Sequence, residues 1–390
     1  MPKIIIEEDS MNKISKLILA YTALLCGTNS SASTTFDPID IEGNYSADRF
    51  AVSTEIVAEG VYLLRRSPTW RTSVQGNVTV IVNEEDVVVV DGGHPPHVKN
   101  VIAAIKDITD KPISRVITTH WHQDHNWGNY LYKKAYPNVK IISHINTQKT
   151  LKVYEAAQKP EQYADPERVK KAQESYRQRV AEAKAKNASE EEIAFLVDTA
   201  KSIPELYEAL TPPQDGVADI AFEDKLILQR GDRTIEILFL GRANTDGDAV
   251  IWLPKEKVVI AGDIIVQPTP FGFGSYPSEW ADTIDRILAL DYQIMIPGHG
   301  PLIRDTRYPL LLTHLFRDLT KQTQKAVAEG ATTTEALAEK VDFTAHDKAI
   351  AVDNPLYARI FQNWFKTPIL ESALKEALGE PISQTQYVEE

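Results

Sequence analysis

The chain has 390 residues, 43% hydrophobic and 25% charged, a globular profile with room for one large domain and an appendage. A net charge of −13 argues against a surface built for nucleic acid, whose phosphates reward clustered Lys and Arg. The single cysteine, Cys26, lies in an N-terminal apolar run, so any metal in a processed chain is expected on imidazole, carboxylate, amide or water.

Lys13 and Lys16 precede the apolar run 17–26, and a small polar stretch, 27–35, follows. This is the order of a secretory signal. The run is short for a bilayer span, so no mature membrane anchor is expected. Glu7, Glu8 and Asp9 suit a signal poorly, which makes Met11 the expected start, with cleavage near Ala32 or Ser33. Residues 1–33 therefore read as a signal peptide, and the chain as exported, periplasmic or secreted.

From Gly60 the pattern turns to strands: 61–64, 78–82 and 87–90 are β-branched runs between polar turns, the last ending in Asp91-Gly92-Gly93. Residues 98–108 then read as a helix and 115–119 as a buried strand. A helical insertion follows at about 146–210. Asp165 and Pro166 form an N-cap and first turn, and Val169, Ala172, Tyr176, Val180 and Ala183 share one stripe. Ser189 with Glu192 has the spacing of a capping box before Ile193, Leu196, Ala200 and Ile203. Such a hairpin serves as a packing appendage, a homodimer contact or a lid.

A second set of strands is expected at 225–229, 234–240, 249–253, 258–261 and 293–296, and mostly helix from Pro301 to about 378. Two blocks of strands with helices between and after them predict two sheets packed face to face with helices outside. The catalytic unit is read as 50–305 and a C-terminal helical extension as 306–380.

The strongest chemical signal is Thr119-His120-Trp121-His122-Gln123-Asp124-His125, directly after a strand. In extended chain, side chains two apart point the same way, so His120 and His122 can grip one ion together. If the chain turns after them, Asp124 and His125 face a second ion. Two distant candidates can close the shell: Asp263 after Ala261-Gly262, and His299 within Pro297-Gly298-His299-Gly300, each expected at a strand exit. Glycines beside each ligand let the backbone bend close to a crowded centre.

His-x-His-x-Asp-His, then a Gly-Asp strand end, then Pro-Gly-His-Gly, resembles the metallo-β-lactamase superfamily of binuclear hydrolases over roughly residues 60–302. The resemblance implies an αββα four-layer sandwich with metals at the mouth between the sheets. One metal, expected to be zinc, would use His120 and His122, the other Asp124, His125 and His299, with Asp263 bridging. Asp91 matches the early acid that orders the family's site loops. The family's third histidine for the first metal is replaced here: the segment Gly241-Arg242-Ala243-Asn244-Thr245-Asp246-Gly247-Asp248 has Asn244 in its place. An amide oxygen is a weaker zinc ligand than imidazole, so the first site is expected to be weakened, or empty, with iron or manganese as other candidate metals. Aspartate at 263, where several antibiotic-degrading members have cysteine, resembles the thioester hydrolases and lactonases more.

Phe271, Phe273 and Tyr276, in a Gly- and Pro-rich stretch after Asp263, are candidate substrate contacts. Trp121, Trp127 and the loop 65–74 are weaker ones. His94 and His97 lie where they could rim the site, while His144, His314 and His346 read as structural. The expected reaction is attack of a metal-activated hydroxide on the carbonyl of a small ester, thioester, lactone or β-lactam, with Asp124 orienting the hydroxide. The alternatives are a one-iron oxidoreductase in the same cage and a non-catalytic metal- or ligand-binding protein. Phosphodiester cleavage of nucleic acid is disfavoured by the charge.

Overall fold

The computed structural model describes residues 50–66, 75–157, 165–209, 215–351 and 353–385. The signal-like segment and residues 67–74 of the candidate pocket loop lie outside the described residues.

Seven strands form the first sheet in chain order: β1 (Val52–Ala58), β2 (Val61–Arg66), β3 (Val78–Val82), β4 (Val87–Val90), β5 (Ile113–Ile117), β6 (Lys140–His144) and β7 (Ile220–Phe222). The first four are antiparallel neighbours, and β4 to β7 run parallel. Parallel neighbours need crossovers, and helices supply them. Helix α1 (Pro95–Ile108) leads from β4 to β5, and α2 (Gln123–Asn126) and α3 (Asn129–Ala135) lead from β5 to β6. Helices α4 (Ile145–Ala157), α5 (Pro166–Ala185) and α6 (Glu190–Ala209) occupy the stretch between β6 and β7.

The second sheet has the order β12-β11-β10-β9-β8, from β8 (Lys225–Arg230), β9 (Arg233–Phe239), β10 (Ala249–Leu253), β11 (Val258–Val266) and β12 (Ile294–His299). Helix α7 (Pro277–Leu288) crosses between the parallel pair β11 and β12. Beyond β12 come α8 (Arg307–Ala328), α9 (Thr334–Ala338), α10 (Thr344–Ala351), α11 (Pro355–Ile360), one π-helical stretch (Phe361–Lys366) and α12 (Thr367–Leu378).

The layers follow from side-chain alternation. β4 is four valines, buried on both faces, as a strand covered on two sides requires. Val88 and Val90 join Leu63 and Ile81 against Ile237, Ile251 and Ile260 of the second sheet, forming the core between the sheets. Val87 and Val89 point the other way, onto Val98, Val101 and Ile105 of α1. The outer face of the second sheet, with Val250 and Val259, packs on Trp280 and Ile284 of α7, Phe316 of α8, and Phe361, Phe365 and Ile369 further on. The result is the four-layer αββα sandwich with a helical extension.

The inserted helices α5 and α6 share a small core of Ala172, Tyr176, Val180, Ala183, Leu196, Ala200 and Ile203. Asp165 caps α5 by accepting from the Glu167 amide at 3.0 Å, and the Ser189 hydroxyl accepts from the Glu192 amide at 3.2 Å. The Glu192 carboxylate pairs with Arg359 of α11, which ties the hairpin to the C-terminal helices. Among the described residues no helix is long and apolar enough to cross a membrane.

Candidate metal centre

The loop that leaves β5 carries four titratable side chains, and its geometry starts one strand away, at Asp91. That residue follows β4 with φ +64°, a left-handed conformation that non-glycine residues seldom adopt. Its carboxylate explains why the conformation is held. It accepts from the Thr119 amide at 2.8 Å and from the Thr119 hydroxyl at 2.9 Å, and it lies 2.7 Å from His125 Nδ1. The backbone amide of Asp91 donates to the Ile117 carbonyl at 2.7 Å. Thr119 Oγ1 also lies 2.9 Å from His120 Nδ1. Two imidazoles thus have their Nδ1 atoms fixed from behind, leaving Nε2 to face inward, the arrangement by which proteins orient metal-binding histidines.

The inward-facing atoms converge. His120 Nε2 lies 3.0 Å from His122 Nδ1, and His125 Nε2 lies 3.1 Å from His299 Nε2. Asp263 stands between these pairs. Its Oδ1 is 3.1 Å from His125 Nε2 and 3.5 Å from His299 Nε2, while its Oδ2 is 3.6 Å from His120 Nε2. Asp124 Oδ2 approaches His299 Nε2 at 3.0 Å. Two overlapping groups, His120 with His125 and Asp263, and Asp124 with His125 and His299, have ligand atoms close enough to share an ion.

Asp263 and His299 come from β11 and β12, whose register shifts around Gly262. Gly262 has φ +53°, so β11 bends there and runs on to Val266, instead of ending at Asp263 as its Ala-Gly-Asp sequence suggests. Gly298 is required by contact: a Cβ there would lie 1.9 Å from Asp263 Oδ1. Asn77, at the entry to β3, holds this corner across the sheets. Its side chain donates to the carbonyls of Pro297 at 2.8 Å and Gly300 at 2.9 Å, and its amide to Gly298 at 2.7 Å. Nothing local marks Asn77, because its partners lie more than 200 residues away in sequence.

Asn244 is fully buried. Its Nδ2 donates to the Phe271 carbonyl at 2.7 Å, which fixes the amide orientation and leaves Oδ1 buried with no hydrogen-bond partner. Asp248, in the same turn, accepts from the amide and hydroxyl of Thr245, both at 2.8 Å, and burial raises its pKa to about 8.

The electrostatics favour positive charge at the centre. Burial lowers His120 well below the ordinary imidazole value and His122 to about 4, with Asp263 and Asp124 opposing. Burial also disfavours charge on His125 and His299, yet the carboxylates of Asp263 and Asp124 outweigh it and hold both imidazoles above their usual range. For Asp263, burial acts upward, but His125, His299 and His120 hold it well below the usual carboxylate value. Two imidazoles that stay neutral and two that hold protons against ionised carboxylates form a set in which a divalent cation would take the place of those protons, since its ligands must be deprotonated. The inward nitrogens of His120 and His125, steadied from behind, and the convergence of the carboxylates agree with that: the residues fit a metal ion.

The other sequence candidates separate by position. Phe271 meets His122 edge-on at 5.2 Å and packs on Phe273 at 4.7 Å, so this pair borders the centre. Tyr276 is buried, and its hydroxyl donates to the Ile382 carbonyl at 3.4 Å, with Arg242 stacked 4.2 Å above its ring. Trp121 lies edge-on to His122 at 4.5 Å. His94 stacks near Trp127 at 6.3 Å and is pushed down to about 4 by burial, while His97 is enclosed beside Phe50. His144 stacks on Phe239 at 4.3 Å, away from the cluster, and His346 lies 3.1 Å from Asp318 on the C-terminal helices. His314 is exposed on α8. Arg66, at the end of β2, feels Asp124, and its burial lowers it to about 9.

Residues 71–299 match the model of the metallo-beta-lactamase superfamily. The chain belongs to that superfamily. Among curated members, it is 25% identical over 79 residues to the metallo-beta-lactamase type 2 of Bacillus cereus, covering 19% of this chain and 31% of that one. The chain thus spans about a third of the length of the curated relatives it matches. A metallo-beta-lactamase from Pontibacter korlensis superposes with TM-score 0.45 at 15% identity, over 68% of this chain and 99% of its own. The metallo-beta-lactamase FIM-1 from Pseudomonas aeruginosa, in its mono-zinc form, gives TM-score 0.43 at 17% identity, over 68% and 95%. Superfamily membership rests on the family match, and the centre described above lies within it.

Proposed function

We propose that this chain is a metal-dependent hydrolase that cleaves a small ester, thioester, lactone or β-lactam. The observation that carries the reading is the convergence of His120, His122, Asp124, His125, Asp263 and His299 from two sheets, with the outward nitrogens of His120 and His125 held by Thr119 and Asp91. His120 and His122, with the Asn244 oxygen, would hold the weaker position for zinc. Asp124, His125 and His299 would hold the stronger one, with Asp263 available to both. A bound divalent ion supplies Lewis acidity, polarising a carbonyl and lowering the pKa of water to roughly 7.

The chain's own groups do the rest. Asp124, kept ionised by His125 and His299 against the upward push of burial, orients the attacking water. Asp91 and Thr119 keep the imidazoles in the tautomers that present lone pairs inward. Phe271 and Phe273 offer an apolar border for the substrate, and their loop is anchored through the Asn244–Phe271 hydrogen bond. Residues 50–305 form the catalytic unit, and 306–380 an extension packed on it. The signal-like segment 1–33 directs the chain out of the cytosol.

The test is a purified full chain loaded separately with zinc, manganese or iron and offered an ester, a thioester, a lactone and a β-lactam. Hydrolysis of at least one, abolished by a chelator and restored by metal, is expected. A metal-loaded protein inert towards all four, or one that consumes oxygen with substrate, overturns the reading.

A further inference from the structure

The segment after α12 is short and polar, the composition of a wet tail. Its Gln384 is instead only 7% exposed, and both ends of its amide are used. Oε1 accepts from the Trp121 indole at 2.8 Å, and Nε2 donates to the Gly274 carbonyl at 2.7 Å. The backbone carbonyl of Gln384 accepts from the Tyr154 hydroxyl at 3.3 Å. One tail residue therefore joins the ligand loop after β5, the inserted helix α4 and the aromatic loop after β11.

Each of these contacts leads to the centre. Trp121 sits between His120 and His122 in sequence, stacks on Tyr154 at 5.1 Å and meets His122 edge-on at 4.5 Å. Gly274 belongs to the loop whose Phe271 also meets His122 edge-on, at 5.2 Å. That loop is also held from the C-terminal side, since the Gly272 amide donates to the Trp364 carbonyl at 2.8 Å. A Cβ on Gly272 would come within 2.9 Å of the Phe365 carbonyl, so loop and π-helical stretch are in close contact. His122 thus touches two aromatic rings, and Gln384 bonds to one of them and to the loop that carries the other.

We infer that Gln384 is a positioning residue of the metal centre: its carbonyl end fixes Trp121 and through it His122, and its amino end fixes the aromatic loop that borders the substrate. The two ends have separable effects, because the first acts on a ligand and the second on a pocket wall. Removing support behind a metal ligand costs about 10- to 100-fold in metal affinity.

The experiment uses the full chain with Gln384→Ala, Gln384→Glu, Trp121→Phe and the double variant Trp121→Phe/Gln384→Ala. It measures metal retention against a competing chelator, KM and kcat on whichever substrate is cleaved, and melting temperature. Gln384→Ala is expected to weaken metal retention about tenfold and to raise KM. Gln384→Glu keeps an acceptor for the indole but sets a carboxylate against the Gly274 carbonyl. It should retain metal within about twofold of the parent while KM rises. In the Trp121→Phe background, Gln384→Ala should lower metal retention by less than about twofold, because the bond it removes is already gone.

A lower melting temperature with unchanged metal retention and KM would overturn the inference, as would independent, multiplying effects on metal retention in the double variant. Should Gln384→Ala fail to fold, Gln384→Glu and Trp121→Phe still decide it. The KM arm rests on the proposed hydrolase, whereas the chelator arm does not. A protein inert on every substrate would sink the hydrolase and leave Gln384 to be judged on metal retention alone.

Discussion

Asp91 shows how one residue can carry strain and function together. Its left-handed backbone is held by the same carboxylate that faces Thr119 and His125. In Asp91→Asn the shape remains but one acceptor oxygen and the negative charge behind His125 are lost. Metal affinity should fall about 10- to 100-fold while the fold persists, measured by chelator competition beside circular dichroism. Asn244 makes the opposite test. On the proposed reading its unpartnered oxygen would be a weak donor where Asn244→His would supply a strong one, so metal counting should rise from one ion towards two per chain. Equal occupancy in both would mean that the amide already suffices. His144, away from the centre, bears on acid stability. Burial pushes it down to about 4, whereas an unfolded histidine titrates near about 6.5. The unfolded chain therefore takes up a proton that the folded chain refuses. The stability this represents is full above pH ~6.5 and is lost as pH falls towards ~4. His144→Phe, which keeps the stack on Phe239, should remove about 1–2 kcal/mol of that acid-dependent loss in denaturant titrations at pH 7 and pH 4.5.

Among the elements, β11 and β12 show what a sequence discloses and what it hides. The histidine loop after β5 is legible because its side chains are neighbours in sequence, although the chain bends at His120 and Trp121 instead of running extended as alternation assumes. The hairpin α5–α6 is equally plain, since a 3.6-residue stripe and an Asp-Pro start are local signals. The course of β11 is not. A glycine before an aspartate looks like a stop, yet the left-handed Gly262 turns it into a bulge through which the strand continues. Asn77, Trp364 and Gln384 were illegible for a different reason: each is an ordinary polar or aromatic residue whose partners are set only by tertiary packing. The β11–β12 contact carries its own prediction. Gly298→Ala would drive a methyl group into Asp263, so the strands must part or the carboxylate must turn away. Overpacking of this kind costs about 1–3 kcal/mol. A lowered melting temperature together with strongly reduced metal retention is expected, and a variant that binds metal as the parent does would contradict it.

At the scale of the whole molecule, the candidate donors divide between the sheets: four follow β5 in the first, and Asp263 and His299 belong to the second. Binding that requires both layers adds to their cohesion. Each tenfold rise in free zinc above the dissociation constant should then add about 1.4 kcal/mol to stability, seen as a steady rise in melting temperature. The C-terminal helices belong to the same body, since Phe361, Phe365 and Ile369 share one core with Trp280 of α7. The division of donors also dictates an order of events. His125 and His299 meet across 174 residues of chain, so on the proposed reading a growing polypeptide would have only the segment His120–His125 with which to hold an ion. Tight capture would then wait until the second layer has closed over the first, and the metal supply that matters would be the one present where folding finishes.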